Sequence, residues 1–309
     1  MNSSHHNFAR QTGFSLVEAV VVIAISGIIV AAVALFIRAP VTGYVDTALR
    51  AELTDIADTA LRRIGRDLRN ALPNSIRVTP VGSVFFLEYL EVRTGGRYRA
   101  DTSGGATAPA CPNDDTRVSD DDILSFYASP SVLTDTCFKT LGNIPNLAQI
   151  VNGSDFVVVF NLGIPGASAY ESPNTNKSLI SGTSTSGNED RIEFNAQTFR
   201  LSSPGNRFVV ITGPVSYVCD PVGGTLRRYS GYAIQASQPN NAGAAPLSTA
   251  PVNALLASHV SACSFTYDAA VVAQRDALVT MSLSVTEANS QGTNETVTLY
   301  EAAHVSNVP

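Results

Sequence analysis

Charged side chains are scarce in this sequence, and lysine is the scarcest of them. Only 15% of the 309 residues are charged, and lysine occurs only at positions 139 and 177. Acidic residues outnumber basic ones by 26 to 20, so the formal net charge is −6. Proteins that bind nucleic acids neutralise phosphates with clustered lysine and arginine. The chain has no basic run, and we therefore expect no nucleic-acid partner.

Motifs that mark common catalytic and nucleotide sites are also missing. The sequence contains no GxSxG, no GxGxxG after a strand and no GxxxxGK[ST]. Beyond the N-terminal segment, histidine occurs only at His259 and His304. Each is interpreted as a strand-end or surface residue, because no nucleophile motif supports a Ser/His/Asp arrangement. We predict that the protein is not an enzyme and needs no cofactor.

Metal sites have little support. The cysteines form no CxxC pair, which argues against zinc. Acidic groups at Asp114–Asp115 and Asp120–Asp122 offer the oxygen ligands that calcium prefers. The D-x-[DN]-x-[DN]-G spacing is absent, however. We predict no metal site and interpret these groups as a solvated acidic loop, with calcium binding as the alternative.

One long hydrophobic run lies near the N-terminus. From Ala19 to Ile37 the chain carries no charge, and only Ser26 and Gly27 interrupt the run. A helix over these residues would cover roughly 28 Å at about 1.5 Å per residue, close to the ~30 Å of a bilayer core. Secretory signal peptides have shorter apolar regions, about 7–15 residues long, followed by a small-residue cleavage site. The run therefore predicts a helix that stays on the mature protein.

The residues before this run carry a processing signal. The sequence GFSLVE begins at Gly13 and places Glu18 at the fifth position after that glycine. It resembles the class III signal of type IV prepilins and type II secretion pseudopilins. The resemblance implies that a membrane aspartyl peptidase cuts between Gly13 and Phe14 and that Phe14 is then N-methylated. A plain single-span anchor with a coincidental GFSLVE segment is the alternative.

Glu18 is unusual for a simple membrane anchor. A carboxylate in a membrane helix costs about 2.5–3.5 kcal/mol near the centre of the span and less near its end. Two interpretations stay open. In an assembled bundle, Glu18 would pair with the Phe14 amine of a neighbouring subunit and fix the axial register. In the bilayer, it would lie at headgroup depth, where the helix dipole favours an anion.

A second periodic pattern extends the helix. Apolar residues recur at spacings of three and four over 49–72, and Pro73 ends the pattern. Pro40 and Gly43 predict a kink or a locally loosened turn between the two halves. We therefore predict one long helix over about 14–72. The predicted parts of the chain are a leader peptide (1–13), a transmembrane or filament-core helix (14–37), its amphipathic continuation (38–72) and a β-rich globular domain (73–309).

After Pro73 the pattern changes to short runs separated by Gly, Pro, Asn and Asp. These runs predict strands over 75–78, 84–90, 123–127, 156–160, 191–194, 198–201, 207–211, 216–219, 226–229, 232–235, 262–267, 278–285 and 296–300. We predict surface loops over 93–122 and 163–189, a short helix over 253–259 and a hairpin turning at residues 204–206. The fold class is α+β, with the long helix packed on an antiparallel β-rich domain.

Four cysteines lie after the hydrophobic run: Cys111, Cys137, Cys219 and Cys263. An even number in an exported domain predicts disulfides. Four cysteines allow three pairings. The preferred one joins Cys111 to Cys137 and Cys219 to Cys263, because each pair would close a local loop or join neighbouring strands.

Three further stretches resemble the MshO type of minor pilin from the mannose-sensitive haemagglutinin (MSHA) pilus system. They are NALPNSIRV at 70–78, GPVSYVCDPVGGTLRRYSGYAIQ at 213–235 and LYEAAHVSNVP at 299–309. This group is related to PilW-like minor pilins and to J-type pseudopilins. The resemblance implies a long helix laid against antiparallel sheets. It also implies other major and minor pilins, the prepilin peptidase and the inner-membrane assembly platform as partners.

These resemblances imply a minor type IV pilin that takes part in assembly or initiation of the fibre. Its helix would hold it in the lipid of the bacterial inner membrane, with the β-rich domain in the periplasm, before it enters the base or tip of the pilus. Arg10 before the run favours a cytoplasmic N-terminus. The alternatives are a J-type pseudopilin of a type II secretion system and a tip adhesin that binds through the loop at 93–122 or 163–189.

Overall fold

The structure, a computed structural model, describes residues 13–100, 111, 122–127, 134–173, 176–267 and 276–308. An N-terminal helix is followed by antiparallel β-structure, so the fold class is α+β as predicted. The chain separates into two compact units. The first comprises Met1–Ala51 and Ala288–Asn294, and the second comprises Glu52–Glu287 and Glu295–Pro309.

Helix α1 spans Leu16–Leu68 and contains the whole hydrophobic run. Pro40 and Gly43 both lie inside it, and the chain stays helical through both residues. The helix ends four residues before the predicted end at Leu72. The predicted amphipathic part at 38–72 therefore includes a short non-helical segment.

The early end of α1 has a tertiary cause. Leu72 donates its N–H to the carbonyl of Leu90 at 2.8 Å, and Val92 donates to the carbonyl of Asn70 at 2.9 Å. Ala71 forms an isolated bridge within the same pairing. Leu72 is buried, as the apolar spacing predicts, but its backbone pairs with a strand instead of continuing the helix.

After α1, the described residues form two β-sheets. A 3₁₀ turn lies at Leu147–Gln149. In chain order the strands are β1 (Arg77–Val81), β2 (Val84–Arg97), β3 (Asp135–Lys139), β4 (Phe156–Val159), β5 (Lys177–Ser186), β6 (Glu189–Gln197), β7 (Arg207–Asp220), β8 (Thr225–Ser230), β9 (Val252–Ala257), β10 (Val260–Tyr267), β11 (Asp276–Ala288) and β12 (Asn294–Ser306).

Strand β7 lies at the centre of the larger sheet. The strand order is β1-β2-β7-β4-β5-β6-β3, with β8 also paired to β7 and β9 paired to β8. The recorded pairings of this sheet are antiparallel. The smaller sheet has the order β10-β11-β12. Because β7 contacts three strands, its position determines where most of the larger sheet lies.

The part of α1 that belongs to the second unit buries most of an apolar stripe. Its fully buried side chains are Leu53, Ala57, Ile64 and Leu68. Burying one large aliphatic side chain contributes about 1.5–3 kcal/mol relative to leaving it exposed. The three- and four-residue spacing read from the sequence therefore identifies the core-facing side of this helix segment correctly.

Several strands differ from the sequence prediction. Lys177–Ser186 forms β5 inside the predicted loop 163–189, because β4 and β6 pair with it on both sides. Val252–Ala257 forms β9 where a short helix was predicted, because it pairs with β8. The predicted strands at 123–127 and 198–201 reduce to one isolated bridge between Phe126 and Phe199.

The strand prediction was also wrong at glycine positions. Strand β2 continues through Gly95 and Gly96 to Arg97, into the predicted loop 93–122. A Cβ at Gly95 would lie 2.8 Å from the carbonyl oxygen of Phe208, so only glycine lets the two strands approach this closely. Strand β7 likewise runs through Gly213, where its pairing with β2 shifts register.

The predicted turn at residues 204–206 forms, but the predicted hairpin does not. Asn206 donates its N–H to the carbonyl of Ser203 at 2.9 Å and has a positive φ of 53°. Residues 201–203 are not a strand. Strand β7 therefore begins after the turn without a local partner and pairs with β2 and β4 instead.

Two disulfides connect elements of the second unit. Cys111 is bonded to Cys137 in β3, and Cys219 in β7 is bonded to Cys263 in β10. This is the pairing preferred from the sequence. The second bond links the larger sheet to the smaller one. Of the acidic groups considered for calcium, only Asp122 falls within the described residues.

Candidate functional site

The segment before α1 has a defined local geometry. Glu18 donates its backbone N–H to the Oγ of Ser15 at 3.2 Å, and Ser15 donates its N–H to the Oε2 of Glu18 at 3.3 Å. These reciprocal bonds form a capping box, with Ser15 as the N-cap of the helix. Sequence reasoning missed this role, although Ser-x-x-Glu before an apolar run is its known signature.

The predicted cleavage bond lies immediately outside this cap. Gly13 and Phe14 precede the helix, and a Cβ added to Gly13 would have no neighbour within 4 Å. The side chain of Phe14 is 80% exposed. A peptidase acts most readily on exposed chain outside regular structure. The cap therefore marks where the helix begins and leaves the Gly13–Phe14 bond accessible.

Glu18 lies in the first turn of α1. Its carboxylate faces the positive end of the helix dipole, where an anion is stabilised. This geometry agrees with one of the two sequence interpretations of Glu18. Its depth in a bilayer and its pairing with the Phe14 amine of another subunit remain predictions.

The hydrophobic run has the length and the composition of a membrane-spanning helix. Leu16–Ala34 covers 19 residues with a mean hydropathy of 2.8, and none of that window is buried by the rest of the protein. Large apolar side chains such as Ile23 and Ile28 are 72% and 70% exposed. An apolar surface this large needs lipid or other helices to cover it.

A contact beyond the span belongs to the same unit. Asp46 of α1 accepts hydrogen bonds from the N–H and the Oγ of Ser290, at 3.3 and 2.8 Å. Ser290 lies in the turn between β11 and β12. The Oδ1 of Asn289 stabilises that turn by accepting from the N–H groups of Gln291 and Thr293. The helix residues after the hydrophobic run therefore have a fixed neighbour in this unit.

Comparison with protein families now identifies this segment. The prokaryotic N-terminal methylation motif matches residues 8–34. The chain carries a prepilin-type N-terminus. The match spans Gly13, Phe14 and Glu18, and it supports a type IV pilin-like or pseudopilin role. Comparison with curated proteins and with solved structures gives no match.

The prepilin-type motif has implications for processing, for location and for the class of protein. It implies processing by a prepilin peptidase and assembly with other pilins. Together with the apolar helix, it indicates membrane anchoring with the C-terminal domain outside. The family defined by this motif is structural and not catalytic.

A network of charged and polar groups surrounds the last turn of α1 in the second unit. Asp67 accepts hydrogen bonds from the hydroxyl of Tyr217 and, at 3.2 Å, from the Nε of Arg228. Arg228 also donates to Glu91 at 3.2 Å, and Glu91 accepts from the hydroxyl of Thr212 at 3.1 Å. Arg228, in the LRRYSGY stretch, thus donates hydrogen bonds to two carboxylates, one on the helix and one on β2.

Burial and charge shift the pKa values in this network. Burial raises the pKa of Tyr217, and the hydrogen bond and negative charge of Asp67 raise it further. Burial alone would lower the pKa of Arg228, but the neighbouring tyrosines and carboxylates raise it above its ordinary value. The phenol therefore stays neutral and the guanidinium stays charged at physiological pH, which suits a structural network.

The first of the three stretches that resemble MshO-type minor pilins contacts the other two. Asn74 of the first stretch donates its Nδ2 to the carbonyl of Asn307 in the last stretch at 3.2 Å. Arg77 of the first donates to the carbonyl of Gln235 in the second at 2.9 Å. The segment directly after α1 therefore joins the other two. Sequence reasoning identified the stretches but not their contact.

Arg77 is itself part of a buried polar cluster. Its Nε lies 2.5 Å from the Oε2 of Glu88, and its guanidinium lies 3.7 Å from the ring centroid of Tyr170. Tyr232 donates its hydroxyl to Glu88 at 2.7 Å. Glu88 is fully buried, and this burial raises its pKa although Arg77 opposes the effect. The cluster fixes the residues that leave the helix against β2.

In the described ranges, neither the two histidines nor the possible metal-ligating side chains form a site. His259 lies 3.8 Å from Glu287, and both side chains are exposed; His304 is exposed on β12. No group of three or more His, Cys, Asp or Glu side chains among the described residues is arranged to hold a metal ion. The acidic residues at 114, 115, 120 and 121 lie outside those residues.

Proposed function

We propose that this protein is a minor pilin of an MSHA-like type IV pilus, of the MshO type, which takes part in assembly or initiation of the fibre. The observation that carries the proposal is the methylation motif on a capped helix that begins directly after the predicted cut. The contacts of the MshO-like stretch at the end of that helix with the other two stretches support the assignment to the MshO type.

In this proposal the peptidase removes residues 1–13, and Phe14 becomes the methylated N-terminus. Residues 14–37 hold the subunit in the inner membrane before assembly and enter the filament core afterwards. Lipid contacts are exchanged for helix contacts in that step, which packing between helices can drive. Glu18 then fixes the register with the Phe14 amine of a neighbouring subunit. Residues 38–72 connect this core helix to the β-rich domain at 73–309, which lies in the periplasm.

A low-copy position in the fibre follows from the size of the β-rich part. Within the described residues, its larger sheet has nine strands and its smaller sheet has three. A domain of this size is tolerated best at the base or tip of a fibre, where fewer neighbours surround it. The partners in this proposal are the other major and minor pilins, the prepilin peptidase and the inner-membrane assembly platform.

A J-type pseudopilin of a type II secretion system is the second candidate. The observation that favours it is the motif itself, which prepilins and pseudopilins share. Both candidates predict the same processing, so they differ only in the machine that the subunit serves.

Intact mass of the protein from its native membrane tests the processing step. We expect a mass that lacks residues 1–13 and carries one added methyl group. A Gly13→Val variant should stay full length, because its side chain would obstruct the cleavage position, while Gly27→Val, inside α1 and away from that position, is the control. A full-length, unmethylated wild-type protein in cells with an active prepilin peptidase would contradict the proposal.

Deletion of the gene then separates the two machines. A minor pilin should be needed for pili on the cell surface, and a J-type pseudopilin should be needed for secretion of type II substrates. Complementation with the wild-type chain should restore the affected phenotype, and a Glu18→Ala chain should restore it poorly. Loss of secretion with normal pili would replace the first candidate by the second.

A further inference from the structure

Lys177, one of the two lysines of the chain, is buried where the predicted processing and assembly do not use it. It is the first residue of β5 and is only 6% exposed. Its Nζ donates a hydrogen bond to the backbone carbonyl of Glu171 at 3.0 Å, which is its one acceptor among the described residues. An ammonium group has three N–H donors, and a single neutral acceptor compensates little of the cost of removing the charge from water. Donors of this ammonium therefore remain for a further acceptor.

The carboxylate of Glu171 lies near this ammonium without pairing with it. Within the described part of the chain, the two side chains form no ion pair at 4.0 Å or less. Both carboxylate oxygens instead accept from the N–H of Gly166, at 2.9 and 3.0 Å. The carboxylate is nonetheless close, because the ammonium is bonded to the main-chain carbonyl of the same glutamate.

The charge of Glu171 compensates the burial of Lys177 only in part. Burial lowers the pKa of Lys177 to about 8, although the negative charge of Glu171 opposes this effect. At neutral pH the amine is still mostly protonated. The protein therefore holds a positive and a negative group close together, and neither neutralises the other by contact.

Both groups line one cavity of about 540 Å³. This volume lies within the ~300–1,000 Å³ of small-molecule sites in proteins. Among the described residues of the wall, Lys177 and Glu171 are the only ionised side chains. Tyr170 and Tyr232 also line the cavity, and burial raises the pKa of both, so they stay neutral.

These two charges define the kind of ligand that fits the cavity. An anion would pair with Lys177 and be repelled by Glu171, and a cation would meet the reverse. A zwitterion would place its carboxylate at Lys177 and its ammonium at Glu171, so that each charge has a partner in a charge-assisted hydrogen bond. The charges of the ligand must also be close together, because the two wall groups are. An α-amino acid meets this condition, whereas the terminal charges of a peptide are farther apart.

The rest of the wall favours an apolar body on the ligand. Phe156, Leu179 and Ile234 contribute half-buried apolar side chains to the cavity. Covering apolar surface is favourable by about 25 cal/mol per Å² removed from water. An apolar side chain on the ligand would therefore add to the binding that the two charges provide.

We propose that this cavity binds a free α-amino acid with an apolar side chain, with Lys177 holding its carboxylate and Glu171 its ammonium. The site lies in the β-rich unit and does not depend on the prepilin-type N-terminus. It would allow the protein to bind a small molecule in addition to its proposed role in assembly.

The scarcity of lysine makes a direct test practical. The full chain, purified in detergent micelles with ¹³C at the lysine Cε, should give two side-chain signals, from Lys139 and Lys177. A Lys177→Met sample assigns both, and a Lys139→Arg sample does so if the first fails to fold. We expect phenylalanine and leucine to shift the Lys177 signal saturably, and Lys139, paired with Asp122 at 3.0 Å, to stay unchanged.

Matched analogues of phenylalanine test each charge of the ligand separately. The anion 3-phenylpropanoate lacks the ammonium, 2-phenylethylamine lacks the carboxylate, and N-acetylphenylalanine amide lacks both charges. We expect each analogue to bind at least about tenfold more weakly than phenylalanine in calorimetry, because each leaves a wall charge without a partner.

Two variants test each charge of the wall. Glu171→Gln retains an oxygen that can accept from the N–H of Gly166, so we expect it to fold. It should weaken binding of phenylalanine by at least about tenfold without weakening that of 3-phenylpropanoate, and Lys177→Met should weaken phenylalanine equally without weakening 2-phenylethylamine. The proposal is overturned if neither amino acid shifts the Lys177 signal, if an analogue binds as tightly as phenylalanine, or if Glu171→Gln leaves the affinity for phenylalanine unchanged.

Discussion

The carboxylate of Asp67, in the last turn of α1, accepts a hydrogen bond from the hydroxyl of Tyr217 in the central strand β7. The two residues are 150 positions apart in the sequence. Arg228 of β8 lies against the same carboxylate. The end of the helix segment in the second unit is thereby fixed to the strand that organises the larger sheet.

Replacing Asp67 tests this network. We expect Asp67→Asn to lower the free energy of unfolding by about 1–3 kcal/mol, because it leaves the partly buried Arg228 with one carboxylate fewer. Chemical denaturation of the full chain in detergent, followed by tyrosine fluorescence, measures the change. Asp58→Asn on the same helix is the control. Its pair with Arg62 is exposed, so the expected loss is at most about 1 kcal/mol. Equal losses in both variants would contradict a special role for Asp67.

Replacing Ser15 tests the capping box. Ser15→Ala removes the acceptor for the Glu18 N–H, and the loss of an N-cap costs about 0.5–2 kcal/mol. The first turn of α1 should then fray, and its amide hydrogens should exchange faster in hydrogen-exchange mass spectrometry of the protein in micelles. Ser26→Ala, in the middle of the same run, should leave exchange in that turn unchanged. Unchanged exchange in Ser15→Ala would show that the box does not hold the turn.

The buried carboxylate of Glu88 predicts a pH dependence of stability. Its folded-state pKa is raised above the ordinary value of 4.5, mainly by burial. The folded protein therefore holds this proton more tightly than the unfolded chain does. The contribution of Glu88 to stability is fully present below pH 4.5 and is lost as the pH rises through the raised pKa.

Glu88→Gln removes the ionisation and keeps the size of the side chain. Arg77 would still donate to the carbonyls of Gln235 and Ala236 in this variant. We expect the free energy of unfolding to fall less between pH 4.5 and neutral pH in Glu88→Gln than in the wild type. Denaturant titrations at a series of pH values give both curves. Parallel curves would mean that Glu88 ionises as easily in the folded protein as in the unfolded one.

Two glycines should respond oppositely to alanine. In Gly95→Ala the new Cβ would lie 2.8 Å from the carbonyl oxygen of Phe208, so β2 and β7 must separate. We expect a loss of about 1–3 kcal/mol, the usual cost of overpacking. Gly43→Ala, in α1, meets no atom within 4 Å and should stabilise the helix by about 0.5–1 kcal/mol. Thermal unfolding followed by circular dichroism measures both, and a stable Gly95→Ala variant would contradict the close strand contact.

The sequence determined the features that depend on neighbouring residues. The uncharged run from Ala19 to Ile37 predicted the helix, and GFSLVE before it predicted the prepilin-type signal that the methylation motif supports. The apolar spacing after residue 49 predicted the buried face of the helix. Short runs separated by Gly, Pro, Asn and Asp predicted strands such as β4 and β8. Each of these signals is local, because helix and strand periodicity and motif spacing act over a few residues.

Tertiary structure decided the features that depend on residues far apart in the chain. The helix ends at Leu68 because Leu72 pairs with Leu90. The Ser- and Thr-rich segment of β5 is a strand because β4 and β6 supply partners on both sides. The burial of Lys177 and the bond between Asp67 and Tyr217 likewise appear only in the folded protein. Backbone groups removed from water must find hydrogen-bond partners, and which partners are in reach is decided by the packing of the whole domain.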